Sequence, residues 1–594
     1  MRSLIGLALL PLAVAVPHAS HKSESDSTYD YIIVGGGTSG LVVANRLSEQ
    51  KDTTVLVIEA GGSVYNNPNV TDTLGYGKAF GTDIDWAYGT TAQEYAGGFS
   101  QIVRAGKALG GTSTINGMAY LRAQAAQIDA WETIGNKGWN WKTLLPYFKK
   151  SEQLQDPTKY PFLDGSGVAF DPAYHGFTGP LKVGWSSVQL NDGLAQTLNA
   201  TYQNLDVPVP YNRDANTGDM VGYSLYPKTV NSDLNIREDA ARAYYYPYQN
   251  RTNLHVWLNT HANKLTWKEG HEATADGVEV TLSSGKKTVV KATREVILAA
   301  GALRSPVLLE LSGVGNPDIL SKHGIETKIN LPTVGENLQD QMNNGLKFES
   351  KKTYGTNKSA SYVAYPSANQ LFPNSTALGA ELLRKLPAYA AQVASANGNN
   401  TNARDIYRFF KIQWDLIFKD EIPVAEILLS ASGASYSSEY WGSVPFSRGS
   451  IHISSADPTA PAIIDPKYFM LDFDLHAQAQ AARFIREIFQ TKPFADMTGA
   501  ETTPGLSTIA AGADDEAWSK FIYSKYRSNY HPITTAGMLP KELGGVVDTS
   551  LKVYGTSNVR VVDASVMPFQ VCGHLQSTVY AVAERAADII KGQL

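Results

Sequence analysis

Residues 30–40 read D-Y-I-I-V-G-G-G-T-S-G, and few stretches of this length restrict a fold more. Tyr31 to Val34 is a short apolar, β-branched run, the composition of a strand buried on both faces. Gly35, Gly37 and Gly40 then supply G-x-G-x-x-G. The first allows a tight turn, the second lets a pyrophosphate reach the backbone, and the third lets a helix lie against the strand. Leu41, Ala44 and Leu47 come next at helical spacing, which points the N-terminus of that helix at the phosphates. A second apolar run, Val55 to Ile58, ends in Glu59, 19 residues past Gly40. A carboxylate there accepts hydrogen bonds from a ribose diol. Strand, glycines, helix, strand and acid together predict a βαβ unit that binds a dinucleotide.

The chain before this motif has another character. Arg2, the apolar run Leu4 to Val16, and Ala13-Val14-Ala15 or Ala19 ahead of a cleavage point make residues 1–19 an expected secretory signal, too short to span a bilayer. No later stretch is long and apolar enough for a membrane helix, so a soluble, secreted protein without a membrane partner is expected. Six Asn-x-Ser/Thr triplets (Asn69, Asn199, Asn250, Asn357, Asn374, Asn399) are compatible with glycosylation along that route. A net charge of −5 leaves no basic field for nucleic acid. One cysteine, Cys572, excludes an internal disulfide and cysteine-type zinc or iron–sulfur sites, and it reads as a small buried apolar residue. No metal is expected. Beyond the signal the chain runs for about 575 residues, too long for one simple core.

A second glycine-rich stretch, Arg104 to Gly117, reads R-A-G-K-A-L-G-G-T-S-T-I-N-G. Gly106, Gly110, Gly111 and Gly117 break any regular element, and Thr112, Ser113, Thr114 and Asn116 suit a backbone laid against a polar ligand. Residues 106–122 resemble the first signature of the glucose–methanol–choline (GMC) flavin oxidoreductases. Gly301 to Gly315, G-A-L-R-S-P-V-L-L-E-L-S-G-V-G, resembles the second. Arg294 to Ala300 reads as a buried strand entering it, and Val334 to Asp340 and Val559 to Ser565 match further family segments in the family's order. Within the family, the nearest likeness is to secreted FAD-dependent glucose dehydrogenases, with glucose oxidases next.

The resemblance implies a mixed α/β and α+β protein with FAD as cofactor. A Rossmann-like FAD domain (27–118, 228–340, 540–594) is interleaved with a substrate domain of antiparallel sheet and helices (119–227, 341–539). Strand-like runs at Asn253–Leu258, Val278–Leu282, Arg294–Ala299 and Val559–Val562 agree, and residues 375–420 read as helices broken by a Ser395–Asn402 loop. By family position, Thr38, Ser39 and Glu59 touch the adenosine and phosphates. Thr112, Asn116, Gly117 and Ala119 line the flavin and its ribityl chain, and Ala262 contacts adenine. Asp563, Ala564 and Gln576 approach the pyrophosphate and ring.

Oxidising an alcohol by hydride transfer requires its hydroxyl proton to leave, and a neutral imidazole suits that task. His531 lies in Y-R-S-N-Y-H-P and His574 in V-C-G-H-L. Arg527, Asn529 and His531 alternate, so an extended segment projects all three from one face, with Ser528 and Tyr530 opposite. A cation, an amide and an imidazole on one face fit a polyhydroxylated ligand. Both histidines match the pair of the glucose oxidase and dehydrogenase branch. His531 is assigned as proton acceptor and His574 as its partner at the hydroxyl, with the reverse assignment as the alternative. Glu426 matches a carboxylate that contacts a sugar hydroxyl, and Tyr76 matches an aromatic at the pocket mouth. The implied activity is oxidation of the C1 hydroxyl of glucose to the lactone. The single cysteine resembles the dehydrogenases, which use quinone-type acceptors, whereas glucose oxidases typically carry a disulfide. The alternative is a glucose oxidase or another GMC enzyme such as an aryl-alcohol oxidase.

Overall fold

The computed structural model describes residues 28–163, 167–186, 193–270, 273–354 and 362–594. The expected signal and the Asn357 triplet lie outside them. The βαβ unit forms as read, with strand Thr28–Val34, helix Thr38–Leu47 and strand Val55–Ile58. All four residues of the second strand are buried, because a strand in the middle of a parallel sheet is covered on both faces. The order across the sheet is Leu254–Trp257, Val55–Ile58, Thr28–Val34, Lys287–Leu298, Ala275–Thr281, His261–Trp267, with Val559–Val561 joining at the end of Lys287–Leu298.

Strand Lys287–Leu298 does two jobs. Lys287 to Lys291 pair antiparallel with Thr281 to Gly277, and Lys291 to Leu298 pair parallel with Thr28 to Val34. Its burial changes accordingly, from alternating to continuous at Val296–Leu298. Helices Thr38–Leu47 and Gln576–Ile590 pack together on this side of the molecule.

A second sheet is antiparallel throughout: Thr498–Thr503, Met342–Ser350, Ser435–Gly442, Ala425–Ser432, Tyr362–Tyr365, Gly222–Leu225, with Arg527–Ser528 added beside Met342–Asn343. Helix Asp472–Gln490 packs across its central strands. Buried Gln478 stitches helix to sheet, donating to Met342 O and Asn344 Oδ1 and accepting from Gly442 N. Helices Ser375–Ala396 and Ala403–Phe418 pack against each other, separated by the expected loop. Cys572 is a free, buried thiol. Among the described residues no helix is long and apolar enough to cross a membrane, and no group of His, Cys, Asp or Glu could hold a metal ion.

Candidate active site

The parallel strands end on one side, where Gly35, Glu59, Ala299 and Asp563 line a cavity of about 920 Å³. Open α/β sheets place ligands at such carboxyl ends. Helix Thr38–Leu47 starts from Gly37 without a side-chain cap, and Thr38 and Ser39 line the cavity, so its positive end is available to an anion. A Cβ on Gly40 would stand 2.0 Å from Gly35 O, and one on Gly111 2.6 Å from Gly37 Cα. Those two glycines allow backbone to lie on backbone. Gly37 differs: its nearest atom would be 3.7 Å away, so a side chain there would occupy cavity. Gly40 itself does not line the cavity.

Glu59 accepts from Gly36 N at 2.8 Å and from Gly61 N at 2.8 Å, one bond per carboxylate oxygen. Each oxygen keeps acceptor capacity for a diol. Burial pushes its pKa to about 7 against those two bonds and Lys107. Thr112, Gly117, Ala119, Ala262 and Ala564 line the same cavity. Asn116 Nδ2 donates to Gln576 Oε1 at 3.1 Å, and Gln576 Nε2 donates to Ala119 O at 2.6 Å, which ties the glycine-rich loop to the final helix. Asp563 accepts from Gly301 N at 2.9 Å and from the hydroxyls of Ser305 and Ser565 at 2.5 Å each, bracing the loop after Leu298. An uncapped helix end, a buried acid with spare lone pairs and a backbone-walled cleft fit a dinucleotide.

His531 and His574 line the same cavity, their rings 5.4 Å apart and nearly perpendicular. Trp441 stands edge-on to both, 6.4 Å from His531 and 5.7 Å from His574. Asp340 positions the first histidine. Its carboxylate accepts from His531 N at 2.9 Å, Gln341 N at 2.9 Å, Ser528 Oγ at 2.5 Å and Tyr468 Oη at 2.5 Å. Burial raises the Asp340 pKa against these donors. Burial, then His574, then Arg527 hold His531 well below the usual imidazole range, so it is neutral at physiological pH.

Of the other residues expected to meet the substrate, Glu426 is placed differently from expectation. Glu426 does not open onto the cavity: it is wholly buried, with Oε1 3.2 Å from His574 Nδ1, and would reach a substrate only through that imidazole. The contact is an ion-pair distance outside hydrogen-bond geometry. Arg527 and Asn529 line the cavity as read, but Arg527 already holds Glu439 at 3.0 Å. Tyr530 does not point away. The strand stops at Ser528, Tyr530 adopts the left-handed conformation (φ 63°), and its ring joins the cavity wall under the Arg527 guanidinium. Ser528 does face inward, to Asp340. Tyr76 is half-exposed at the cavity wall, edge-on to Phe80.

Sequence reasoning missed Gln341, Trp441 and Lys228. A signal existed for the first. Gln339 to Asn344 carries five polar side chains in six positions, an unusual start for a strand, and all five are buried. Lys228, also buried, lines the cavity, and burial lowers its pKa to about 8. Nothing in Y-P-K-T marks it.

Models of the GMC oxidoreductase family match residues 29–343 and 445–583. The chain is 45% identical over 594 residues to the glucose oxidase-like protein fsoC of Humicola fuscoatra, covering 99% of this chain and 100% of that one. It is 34% identical to a glucose oxidase of Aspergillus carbonarius, covering 99% of each. Among solved structures, an FAD-dependent oxidoreductase from Chaetomium thermophilum superposes with a TM-score of 0.86 at 28% identity, covering 95% of this chain and 99% of that one. A fungal aryl-alcohol oxidase gives a TM-score of 0.84 at 28% identity, with the same coverage. Two family models, full-length relatives and a cavity built for a dinucleotide agree: this chain is a GMC oxidoreductase, acting on CH–OH donors with FAD as its cofactor.

Proposed function

We propose that this chain is a secreted glucose dehydrogenase that oxidises the C1 hydroxyl of glucose to glucono-1,5-lactone, and that its two sheets mark an FAD domain and a substrate domain interleaved in sequence. The observation that carries the reading is the pair of imidazoles facing one cavity beside Arg527 and Asn529, since an aromatic alcohol offers those two little to bind. Relatives named as glucose oxidases support a sugar substrate.

FAD, when bound, supplies the acceptor for the hydride that leaves the carbinol carbon. Within the chain, His531 takes the hydroxyl proton as that bond polarises, because it is neutral and buried. His574, across the cavity from His531 and backed by Glu426 at 3.2 Å, faces the same oxygen. Asn529 and Arg527 hold ring hydroxyls. For the cofactor, the Gly35–Gly40 turn with Thr38 and Ser39 would hold the pyrophosphate and Glu59 the ribose. The second glycine loop, with Ala262, Asp563, Ala564 and Gln576, would hold the remainder.

Turnover is completed by a quinone-type acceptor, a reading supported by the single cysteine shared with the dehydrogenase branch. A second reading, oxygen as acceptor, is favoured by Lys228, a buried ammonium in the cavity wall, since a positive charge there stabilises developing superoxide. Anaerobic reduction with glucose and subsequent stopped-flow mixing tests both. Fast reoxidation by benzoquinone and slow reoxidation by air-saturated buffer is the expected result; equal rates establish an oxidase. No bleaching by glucose refutes the sugar substrate.

A further inference from the structure

Two amides contest one nitrogen of His531. Gln341 Oε1 lies 2.7 Å from Nδ1, and Asn529 Nδ2 lies 3.2 Å from the same atom. In one neutral tautomer Nδ1 carries the proton and can donate only to Gln341. In the other it carries the lone pair and can accept only from Asn529. The choice matters because it decides whether Nε2, the remaining ring nitrogen, is an acceptor or a donor.

The orientation of both amides is set by their other partners. Gln341 Nε2 faces two carbonyl oxygens, Ser443 O at 2.8 Å and Val571 O at 3.4 Å, neither of which can donate. The amide therefore has its NH₂ at that end and its oxygen toward His531. On the other side, Asn343 Nδ2 reaches Glu439 Oε2 at 3.5 Å and donates to Asn529 Oδ1 at 3.0 Å. That leaves the Asn529 NH₂ toward His531. The contact to Gln341 is the shorter by half an ångström, and Gln341 is wholly buried, so water does not compete for it.

We propose that Gln341 is a positioning residue that holds the proton of neutral His531 on Nδ1, leaving Nε2 free to accept the substrate proton, and that Asn529 imposes the opposite tautomer when Gln341 is lost. This rests on the reading of His531 as the base. Gln341 touches neither substrate nor cofactor in this role, and it does not line the cavity.

The test is anaerobic flavin reduction by glucose in holoenzyme, monitored across pH, for Gln341→Leu, Gln341→Glu, His531→Ala and His531→Ala/Gln341→Leu. Gln341→Leu should slow reduction by about 10–100-fold, the usual effect of losing an orienting partner, with flavin content and spectrum unchanged. In the His531→Ala background it should add no further loss. Gln341→Glu keeps an acceptor at Nδ1 and adds a negative charge beside the ring. It should therefore retain most of the rate while moving the acidic limb of the profile to higher pH. A Gln341→Leu enzyme within twofold of wild type overturns the proposal, as does an equal loss in the His531→Ala background or an unmoved limb in Gln341→Glu. If Gln341→Leu fails to retain flavin, the limb in Gln341→Glu decides alone. Slow His531→Ala with fast Gln341→Leu refutes only the proposal; fast His531→Ala refutes the assignment of the base and the proposal with it.

Discussion

The two ends of the cavity are built by opposite means. The nucleotide end uses backbone: the turn Gly35–Gly40, the start of one helix and a carboxylate at the tip of the next strand, all within Thr28–Glu59. The proposed redox end uses side chains gathered from far apart. Gln341, Glu426, Trp441, the Asn529–His531 segment and His574 come from five stretches of the chain, among them strands of the second sheet and loops beyond them. A backbone cradle tolerates almost any side chain that leaves room, whereas a proton-transfer site depends on which atom faces which. The first is robust to chemistry and fragile to volume; the second is the reverse.

Volume should therefore separate glycines three residues apart, with the largest effects. Gly37→Val should give folded protein without flavin, because its side chain enters the cavity and little else. Gly40→Val should not fold, since its Cβ would stand 2.0 Å from Gly35 O. Circular dichroism and flavin absorbance of the two proteins check this, and a yellow Gly37→Val would contradict it. At the redox end, His531→Ala should lower kcat by about 10²–10⁴-fold, as expected for a positioned proton acceptor. Flavin content should stay normal. A nearly wild-type rate would remove His531 from the mechanism.

Arg527→Ala should weaken kcat/KM for glucose by about 1.5–3 kcal/mol, the range for a hydrogen bond from a charged group. The loss should be the smaller for a non-sugar alcohol, and equal losses would show that the Arg527–Glu439 pair only supports the wall. Smallest is an effect outside the cavity lining. His452 bonds Glu310 at 2.8 Å, on the helix within the second glycine signature, and approaches Glu336 at 3.3 Å. Burial opposes its charge, but the two carboxylates outweigh burial and raise its pKa to about 9. A raised folded pKa stabilises fully below the unfolded value near 6.5, and that contribution fades as pH rises through about 9. The Tm gap between wild type and His452→Gln should be about 1 °C per kcal/mol for a chain of this length at pH 6 and shrink by pH 9. A gap constant with pH would assign His452 a packing role only.

The nucleotide end was legible in the chain alone. Its glycines, helix and acid are contiguous, and local sterics and strand periodicity suffice to read them. The segments that resemble the family were legible too, as were His531, His574, Arg527 and Asn529, which do share one cavity. The remainder required the folded molecule. Alternation predicted Tyr530 on the far face, but the strand ends at Ser528 and a left-handed residue turns the ring back. Glu426 matched a sugar contact, yet the sheet buries it behind His574. The polar run Gln339 to Asn344 marks Gln341 as unusual but not its orientation, because what matters is that Ser443 and Val571, each more than 100 residues away, present carbonyls to one end of its amide. A backbone motif is legible because its partners are its neighbours in the chain. A hydrogen-bond orientation is set by acceptors that only the folded molecule brings within about 3 Å, and no local pattern encodes them.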